Sequence, residues 1–562
     1  MSEPADLLIL GGRVFQAFAP GTLEPYGSEV GPRPIAAPTG VAVRDGRIVG
    51  VDRDKELTDA WRGPRTEVID ARGGLITAGF DDAHIHLVSG ATALDLVDLF
   101  QLGTVEAIQD AIAAYARSLP ERAWVQGRGW LYVPFPGNLP TSEQLDAVVP
   151  DRPAFMECYD GHTAWVNTAA MRVAGIDRDT PDPPDGEIVR DPATGEPTGA
   201  LKEGAQDLVQ RHIPDPGRDE TLAALRRTIG LLHASGITAV QDAWTDIAEL
   251  DLWRTLRDAD DLRVRARVAL PMIPDRSLDA WRTTLDGYET AVADLRGGEW
   301  LDAGILKGFA DGVIEARTAS LLEPYLDDAS RGRPEWESDV LDAFVAEADR
   351  RGWQIEIHAI GDAGVRMVLD AYERAMKDGP ARDRRHRVEH VEMIAYDDIR
   401  RFGSLGVIAS MQPYHADPSS NLIDVWAGNI GTERAGRGWP SRSLRQGGAT
   451  IALGSDWPVV PFDPFLALNA AVNRQTVDGQ PPGGWLPSEK LSLPEALAAY
   501  GHGSAFAAFA EGRRGILRAG ADADLVVLDR DILAAGPSAI IGTHVALTIV
   551  GGQIVHQTEE IG

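Results

Sequence analysis

The sequence has few of the residues that cross-link a chain or anchor it in a membrane. Of its 562 residues only Cys158 is a cysteine, which excludes an internal disulfide and suits a reducing cytosol. Without a C-x-x-C context we interpret Cys158 as a small apolar core residue. No run reaches the ~18 consecutive apolar residues of a membrane helix, and residues 1–12 lack the basic and apolar regions of a secretory signal. We therefore expect a cytoplasmic protein.

Positive charge is also scarce. The formal net charge is −31, from 54 Lys and Arg against 85 Asp and Glu. Nucleic acids and anionic membranes bind clustered Lys and Arg, so neither is an expected partner. We expect a small-molecule substrate, with a homodimer as the candidate assembly. Only five of the 54 cationic residues are lysines, so Lys307, inside an apolar stretch, stands out.

The two ends of the chain resemble each other and differ from the middle. Residues 5–15 and 41–51 predict short strands around tight turns. The tail from 515 to 556 again holds apolar runs broken by Gly and Asp. The simplest account is one β-sandwich domain built from residues 1–73 and 510–562.

In the middle of the chain, strand-like runs alternate with amphipathic, helix-like stretches, which predicts an α/β fold with a parallel sheet. Counting the apolar run 75–80 as the first, the strand-like runs lie near residues 75, 237, 263, 303, 353, 386, 405 and 449. Eight such units predict a TIM-like (β/α)8 barrel over residues 74–509. A large insertion, about 90–220, follows the first strand, and its Pro/Asp/Gly-rich part, 177–199, predicts a long loop or lid.

Residues with ligand or base chemistry follow several of these strands, where barrels of this kind carry their chemistry. His84 and His86 flank Ile85, so in extended chain both imidazoles leave the same face. Neutral imidazole is a favoured zinc ligand. The later strand ends carry Lys307, His358, His390 and Asp456. Each has a structural alternative, such as a hydrogen-bonded core histidine or a helix-capping aspartate, but together they indicate a metal site.

Lys307 requires a further chemical step before it can bind a metal. An ammonium group has no lone pair to give to a cation. The side chain would ligate only as a neutral amine or, after reaction with carbon dioxide, as an anionic carbamate. A carbamate has two oxygens and can bridge two metals.

The order of these residues resembles the metal-dependent amidohydrolase superfamily, in particular its YtcJ-like and N-substituted formamide deformylase-like subgroup (amidohydrolase family 3). The stretches that carry the resemblance are 160–167, 305–312, 316–319, 358–362, 387–390 and 453–456. The match runs from about residue 5 to 556. It implies a TIM-like barrel beside a terminal β-sandwich, one or two divalent cations with zinc as the first candidate, and hydrolysis of C–N or related bonds.

The resemblance also assigns roles to single residues. The metal ligands that it implies are His84, His86, Lys307, His358, His390 and Asp456. Lys307 would be the carbamylated bridge, and Asp456 would be both a ligand and the catalytic proton shuttle. The part of the insertion around Asp160 and His162 would lie over the site.

Contacts to the substrate are expected from residues in the rim loops. We predict His162, Arg317 and His415 as substrate-binding residues, since an arginine can hold a carboxylate or carbonyl. The tryptophans near the presumed rim are Trp130, Trp165, Trp244 and Trp457. Tryptophans most often pack in the core or in loops, and the functional alternative is that these four form an aromatic wall for the substrate.

Two rival functions stay open. The same centre would serve deamination, or cleavage of an ester, carbamate or lactone, although Lys307 disfavours the single-metal deaminase type. The remote alternative is a non-catalytic binding or scaffold protein on the same fold, which the six filled ligand positions disfavour. The acyl and amine groups of the substrate, the metal identity and the number of ions stay undetermined.

Overall fold

The computed structural model describes residues 3–16, 38–100, 102–274, 277–559 and 561. The part of the predicted N-terminal domain that falls on residues 17–37 lies outside the described residues. In chain order the strands are β1 (Leu7–Leu10), β2 (Arg13–Val14), β3 (Gly40–Arg44), β4 (Arg47–Asp52), β5 (Glu67–Asp70), β6 (Leu75–Ala78), β7 (Phe80–Ile85), β8 (Val97–Asp98), β9 (Val125–Trp130), β10 (Ala154–Cys158), β11 (Thr163–Val166), β12 (Gly186–Arg190), β13 (Pro197–Glu203), β14 (Ile237–Asp242), β15 (Arg265–Pro271), β16 (Leu301–Phe309), β17 (Gln354–Ala359), β18 (Arg387–His390), β19 (Ile408–Met411), β20 (Ile451–Leu453), β21 (Leu525–Leu528), β22 (Val545–Val550) and β23 (Gln553–Gln557).

Helices separate many of these strands. The α-helices are α1 (Asp54–Trp61), α2 (Leu87–Ala93), α3 (Val105–Ser118), α4 (Ser142–Asp146), α5 (Thr168–Ala174), α6 (Asp207–Gln210), α7 (Arg218–Ala234), α8 (Leu250–Asp258), α9 (Leu278–Ala291), α10 (Ser338–Arg350), α11 (Asp362–Asp378), α12 (Tyr396–Leu405), α13 (Ala427–Ile430), α14 (Thr432–Ala435), α15 (Ser441–Gln446), α16 (Pro464–Val472), α17 (Leu493–Ala498), α18 (Ser504–Ala507) and α19 (Ile532–Ala535). Short 3-10 turns occupy Pro136–Asn138, Ile247–Glu249, Pro413–Ala416, Pro487–Glu489 and Pro537–Ala539, and π-helical turns occupy Asn421–Trp426 and Ala499–Gly503. None of the helices in the described ranges is long and apolar enough to cross a membrane.

An eight-stranded parallel barrel forms the centre of the molecule. Its strands, β7 and then β14 to β20, follow chain order, and each pairs in parallel with the next. The intervening helices are amphipathic. Helix α11, for example, buries Val365, Val368 and Tyr372 at helical spacing. The predicted TIM-like barrel is confirmed.

The first barrel strand starts later than we predicted. The apolar run 75–80 was expected to be one strand of the barrel, but β6 pairs with β21 and β2 outside it, and β7 begins at Phe80. Gly79 separates the two strands. A Cβ at this position would lie 2.2 Å from the side chain of Thr238, so only glycine fits where the chain passes from one sheet to the next. Apolar content alone does not mark this change of sheet.

The predicted β-sandwich is also confirmed. A four-stranded sheet, β4-β3-β1-β5, faces a five-stranded sheet, β2-β6-β21-β22-β23, which combines strands from both ends of the chain. The two sheets share one apolar core, to which Ile9 and Val43 contribute from the first sheet and Val527 and Leu547 from the second. The exact domain boundaries stay a prediction.

The insertion between β7 and α7 is a domain-like layer with its own sheet, ordered β12-β13-β11-β10-β9-β8. Apolar clusters around Trp130 and Ile188 hold it together. The stretch 177–199, predicted as a loop, instead contains β12, which forms an antiparallel hairpin with β13. The charged surface residues of this hairpin hid the strand pattern, because only a few of its side chains are buried.

Candidate metal centre

The seam that closes the barrel brings the first and last strands together at their carboxyl ends. The amide of Asp456 donates to the carbonyl of His84 at 2.7 Å, and the amide of His86 donates to the carbonyl of Trp457 at 2.7 Å. The Asp82 carboxylate accepts from the amide of Ser455 at 2.9 Å. The backbone of the seam therefore holds the His-x-His pair and Asp456 side by side.

Their side chains converge on one buried point. The Nε2 atoms of His84 and His86 lie 3.3 and 3.2 Å from Oδ1 of Asp456. On the other side of the same carboxylate, Nδ1 of His390 lies 3.9 Å and Nε2 of His415 lies 3.7 Å from Oδ2. Two groups of ligand atoms thus share Asp456, and within each group the atoms lie within 4.8 Å of one another.

This arrangement fits a divalent cation. Among the described residues, Oδ1 of Asp456, Nδ1 of His390 and Nε2 of His415 are buried without a hydrogen-bond partner. Buried polar atoms are rarely left unpaired, and these are atoms that bind zinc and similar ions. Burial raises the pKa of Asp456, but the neighbouring imidazoles, His84 first, outweigh it and hold the pKa well below its usual range. The carboxylate is therefore ionised and available as a ligand.

Lys307 lies beside this point, on β16. Its side chain is fully buried, and its Nζ atom is 3.4 Å from Nε2 of His84. Burial disfavours the ammonium form and lowers the pKa of Lys307, although the carboxylates of Glu356, Glu389 and Asp456 act in the opposite direction. A lysine in this position is shifted toward the neutral amine.

Behind the centre, Glu389 orients His84. Its Oε2 accepts a 2.6 Å hydrogen bond from Nδ1 of His84, and Arg387 donates to Oε1 at 2.8 Å. Protonation of Nδ1 leaves the lone pair of Nε2 directed toward Asp456, which is the tautomer that a metal needs. We did not assign Glu389 from the sequence. Its place directly before His390 at a strand end was the available signal.

His358 and His415 were also predicted as site residues, and they lie at different positions relative to the converging ligand atoms. His358 lies 4.5 Å from His390 between ring centroids, but its Nε2 donates to the carbonyl of Gly312 at 3.2 Å and is not in either group of converging atoms. Its role as a ligand stays a prediction. His415, predicted as a substrate contact, lies instead within the second group of converging ligand atoms.

The backbone at the centre is strained. His390 and Asp456 both have positive φ angles, 71° and 63°. Side chains other than glycine rarely adopt this left-handed region, and such conformations cluster at functional sites, where the surrounding structure holds them. Both residues carry converging ligand atoms, so the strained backbone coincides with the candidate metal centre.

A cavity of about 570 Å³ opens above the centre, and the insertion forms part of its wall. His162, in the turn between β10 and β11, lines this cavity, and its role as a substrate contact stays a prediction. Its Nδ1 lies 2.7 Å from Oε2 of Glu203 at the end of β13. Burial lowers the pKa of His162, but the Glu203 and Asp160 carboxylates outweigh it and raise the pKa to about 10. Glu203 was not predicted, because only the antiparallel pairing of β13 with β11 brings it to His162.

Other predicted substrate contacts lie elsewhere. Arg317 is exposed, lies outside the residues that line the cavity, and donates from Nε to the side chain of Asn429 at 3.1 Å. Its role as a substrate contact stays a prediction. Of the four tryptophans, Trp244 lines the cavity, whereas Trp130, Trp165 and Trp457 are packed in the interior.

The molecule is thus a TIM-barrel protein with a candidate metal site. Its imidazoles and one carboxylate meet at the carboxyl ends of the parallel strands. The chain belongs to the amidohydrolase family, which matches residues 67–556. This confirms the resemblance found in the sequence.

Three curated relatives match almost the whole chain. It is similar to the putative amidohydrolase YtcJ of Bacillus subtilis (32% identity, covering 92% of this chain and 96% of the relative). It is similar to the protein LONG AFTER FAR-RED 3 of Arabidopsis thaliana (31%, covering 98% and 91%) and to N-substituted formamide deformylase of Arthrobacter pascens (29%, covering 92% and 94%). Among solved structures, a metal-dependent hydrolase of Pyrococcus horikoshii shares the fold, with a TM-score of 0.69 and 23% identity over 98% of this chain and 100% of that one.

Proposed function

We propose that the protein is a metal-dependent hydrolase that cleaves an amide-type C–N bond, such as that of an N-substituted formamide or another N-acyl amine. The observation that carries the proposal is the convergence of His84, His86, His390 and His415 on the Asp456 carboxylate, with buried ligand atoms left unpaired. The relative named N-substituted formamide deformylase supports the choice of bond.

One or two divalent cations, with zinc as the first candidate, would be held at this point. His84, His86 and Asp456 would hold one ion, and His390 would hold a second together with His358 or His415. When bound, such an ion acts as a Lewis acid and lowers the pKa of a coordinated water toward neutrality. The residues of the chain have to position the substrate and move the protons.

Lys307 would supply a bridging ligand as a carbamate. A neutral lysine amine adds to carbon dioxide and loses one proton, which leaves an anionic group with two oxygens. Complete burial favours the neutral amine that this reaction requires. The 3.4 Å distance from Nζ to His84 leaves the modified side chain directed at the centre.

Asp456 would act as the proton shuttle. Its carboxylate is ionised, lies at the point where the ligand atoms meet, and would accept the proton of the water that adds to the carbonyl. It would then return this proton to the leaving nitrogen, which must become an amine to depart. His162, held by Glu203 on the opposite wall, would contact the substrate carbonyl or the leaving group.

Metal analysis joined to a substrate panel tests the proposal. We expect one or two divalent ions per chain, and loss of hydrolysis of N-formyl and N-acyl amines when a chelator removes them, with recovery on adding zinc. Lys307→Ala is expected to lose at least one ion and to regain activity partly with acetate or propionate, which replace the missing carboxylate. Lys377→Ala, at the end of α11 outside the cavity, is the matched control.

Several results would contradict this assignment. Full activity without metal would remove the metal-dependent mechanism, and unchanged metal content in Lys307→Ala would remove the bridging role. Preference for esters, carbamates, lactones or an amino-heterocycle would move the reaction to one of the alternatives. Metal binding without turnover of any panel substrate would favour a non-catalytic role.

A further inference from the structure

One part of the cavity wall is strongly acidic. Asp160 of the insertion, Glu315 of the segment after β16 and Glu392 of the segment after β18 all line it. Within the described ranges, none of the three forms an ion pair with a lysine or an arginine. Of the described residues that line the cavity, one is an arginine, Arg128, and it lies beside a different carboxylate, that of Glu157, at 3.6 Å.

Neutral donors hold two of these carboxylates in place. The hydroxyl of Tyr159 donates to Oε1 of Glu315 at 2.6 Å, and the indole of Trp426 donates to Oε2 of Glu392 at 2.7 Å. These bonds orient the carboxylates and bring no formal positive charge to the wall. A cationic ligand would therefore meet acidic groups that are held in place but are not paired with a lysine or an arginine of the described residues.

Some oxygens of this wall are left without a partner. Glu392 is only 5% exposed, and its Oε1 faces Nδ1 of His415 at 3.7 Å, which is beyond hydrogen-bond length. Oδ2 of Asp160 is buried and has no hydrogen-bond partner in the described part of the chain. A buried carboxylate oxygen without a partner is costly. Glu392 lines the cavity and its Oε1 has no hydrogen-bond partner among the described residues, so a ligand there can bind this oxygen.

The mutual repulsion of the carboxylates is visible at Glu315. Burial, followed by the charges of Glu392 and Asp160, raises the pKa of Glu315 to about 8. A positively charged group placed beside Glu315 would favour the ionised form of this side chain, because opposite charges attract more strongly in a partly buried site than in water.

We infer that the substrate of this enzyme carries a positively charged group, a protonated amine or a guanidinium, which the wall formed by Asp160, Glu315 and Glu392 binds. This inference rests on the proposed amide hydrolysis and adds the class of substrate to it. The net charge of −31 acts in the same direction, because it draws cations toward the protein.

The structure also limits how far the charge lies from the reacting bond. His415 lies between the two sites, with Nε2 3.7 Å from Asp456 and Nδ1 3.7 Å from Glu392. A single imidazole thus separates the acidic wall from the metal centre. The substrate class is a small N-acyl amine whose cationic group lies about one aromatic ring away from the scissile bond.

Three matched substrates test this inference. They are N-formylbenzylamines with a para-aminomethyl, a para-ethyl or a para-carboxymethyl group, so that shape stays similar while charge changes. We expect kcat/KM of the metal-loaded enzyme to be about tenfold or more higher for the aminomethyl than for the ethyl compound, and lowest for the carboxymethyl compound. Glu315→Gln should reduce the ratio of the first two, whereas Glu323→Gln, an exposed acid on the same segment, should leave it unchanged.

The outcomes separate the two proposals. Equal kcat/KM for the aminomethyl and ethyl compounds overturns the inference and leaves amide hydrolysis standing. If no compound is hydrolysed, the proposed function fails, and calorimetry on the metal-loaded protein still decides the inference. Tighter binding of the aminomethyl than of the ethyl N-formylbenzylamine supports it, and equal binding overturns it. Both the kinetic and the calorimetric comparison use the wild-type protein, so neither depends on the folding of a variant.

Discussion

The barrel rim and the insertion contribute to the same cavity in different ways. On the rim, His84, His86 and Asp456 are held by backbone hydrogen bonds between neighbouring strands. On the insertion, His162 lies in a turn, and its ring is held by the side chain of Glu203, which reaches it from another strand. The rim thus holds the proposed metal ligands on the backbone of neighbouring strands, while the insertion adds side-chain contacts to the cavity wall.

Substitution of Asp456 tests the barrel rim and should have the largest effect. Asp456→Asn keeps an oxygen ligand but cannot accept a proton, so kcat should fall by about 10²–10⁴-fold while the metal content stays that of the wild type. Steady-state kinetics and metal analysis of the same sample measure both. The control is Asp398→Asn, which also replaces a buried carboxylate by an amide. Asp398 binds Arg366 and Arg401 away from the cavity. Near-normal turnover in Asp456→Asn would end its role as proton shuttle.

Substitution of Glu389 tests whether the orientation of His84 on the rim depends on the carboxylate behind it. Glu389→Gln removes the charge that fixes the tautomer of His84, and zinc affinity should fall by about 10–100-fold. Competition with a chelator measures this affinity, and excess zinc should restore most of the activity. Glu347→Gln, which loses contacts to surface arginines, should bind zinc as the wild type does. An unchanged affinity in Glu389→Gln would show that the strand backbone alone orients the ligands.

Substitution of Glu203 tests the contribution of the insertion and should have the smallest effect. Glu203→Gln loosens His162 without touching the ligands, so kcat/KM should fall by about tenfold, the value of one charged hydrogen bond, at unchanged metal content. Glu196→Gln, on the exposed tip of the same hairpin, is the control. A loss of metal in Glu203→Gln would contradict the separation between the two regions.

The parts of the molecule that follow from chain periodicity could be predicted. Alternating strands and helices indicated the barrel, and the similar ends of the chain indicated the sandwich. His84, His86 and Asp456 could be found because each follows an apolar run at the end that faces the cavity. The structure brings these three together, and their role as metal ligands stays a prediction until ions are measured.

Other features depend on geometry that residue patterns do not show. The change of sheet at Gly79 lies inside an uninterrupted apolar run. His415 joins the second ligand group through a 3-10 turn, and Glu392 and Glu315 meet only because two separate loops fold over the rim. Arg317, predicted as a substrate contact, lies outside the residues that line the cavity, because a motif places a residue in a loop but not on one side of it.

The closing seam has a consequence for how the protein matures. Ser455 and Asp82, joined by a hydrogen bond, are 373 residues apart in the chain, and two of the proposed ligands flank that contact. A chain still emerging from the ribosome has the histidine pair long before it has its partner aspartate. Metal uptake by this centre would therefore be a late event, and it would stabilise the closed barrel rather than start its assembly.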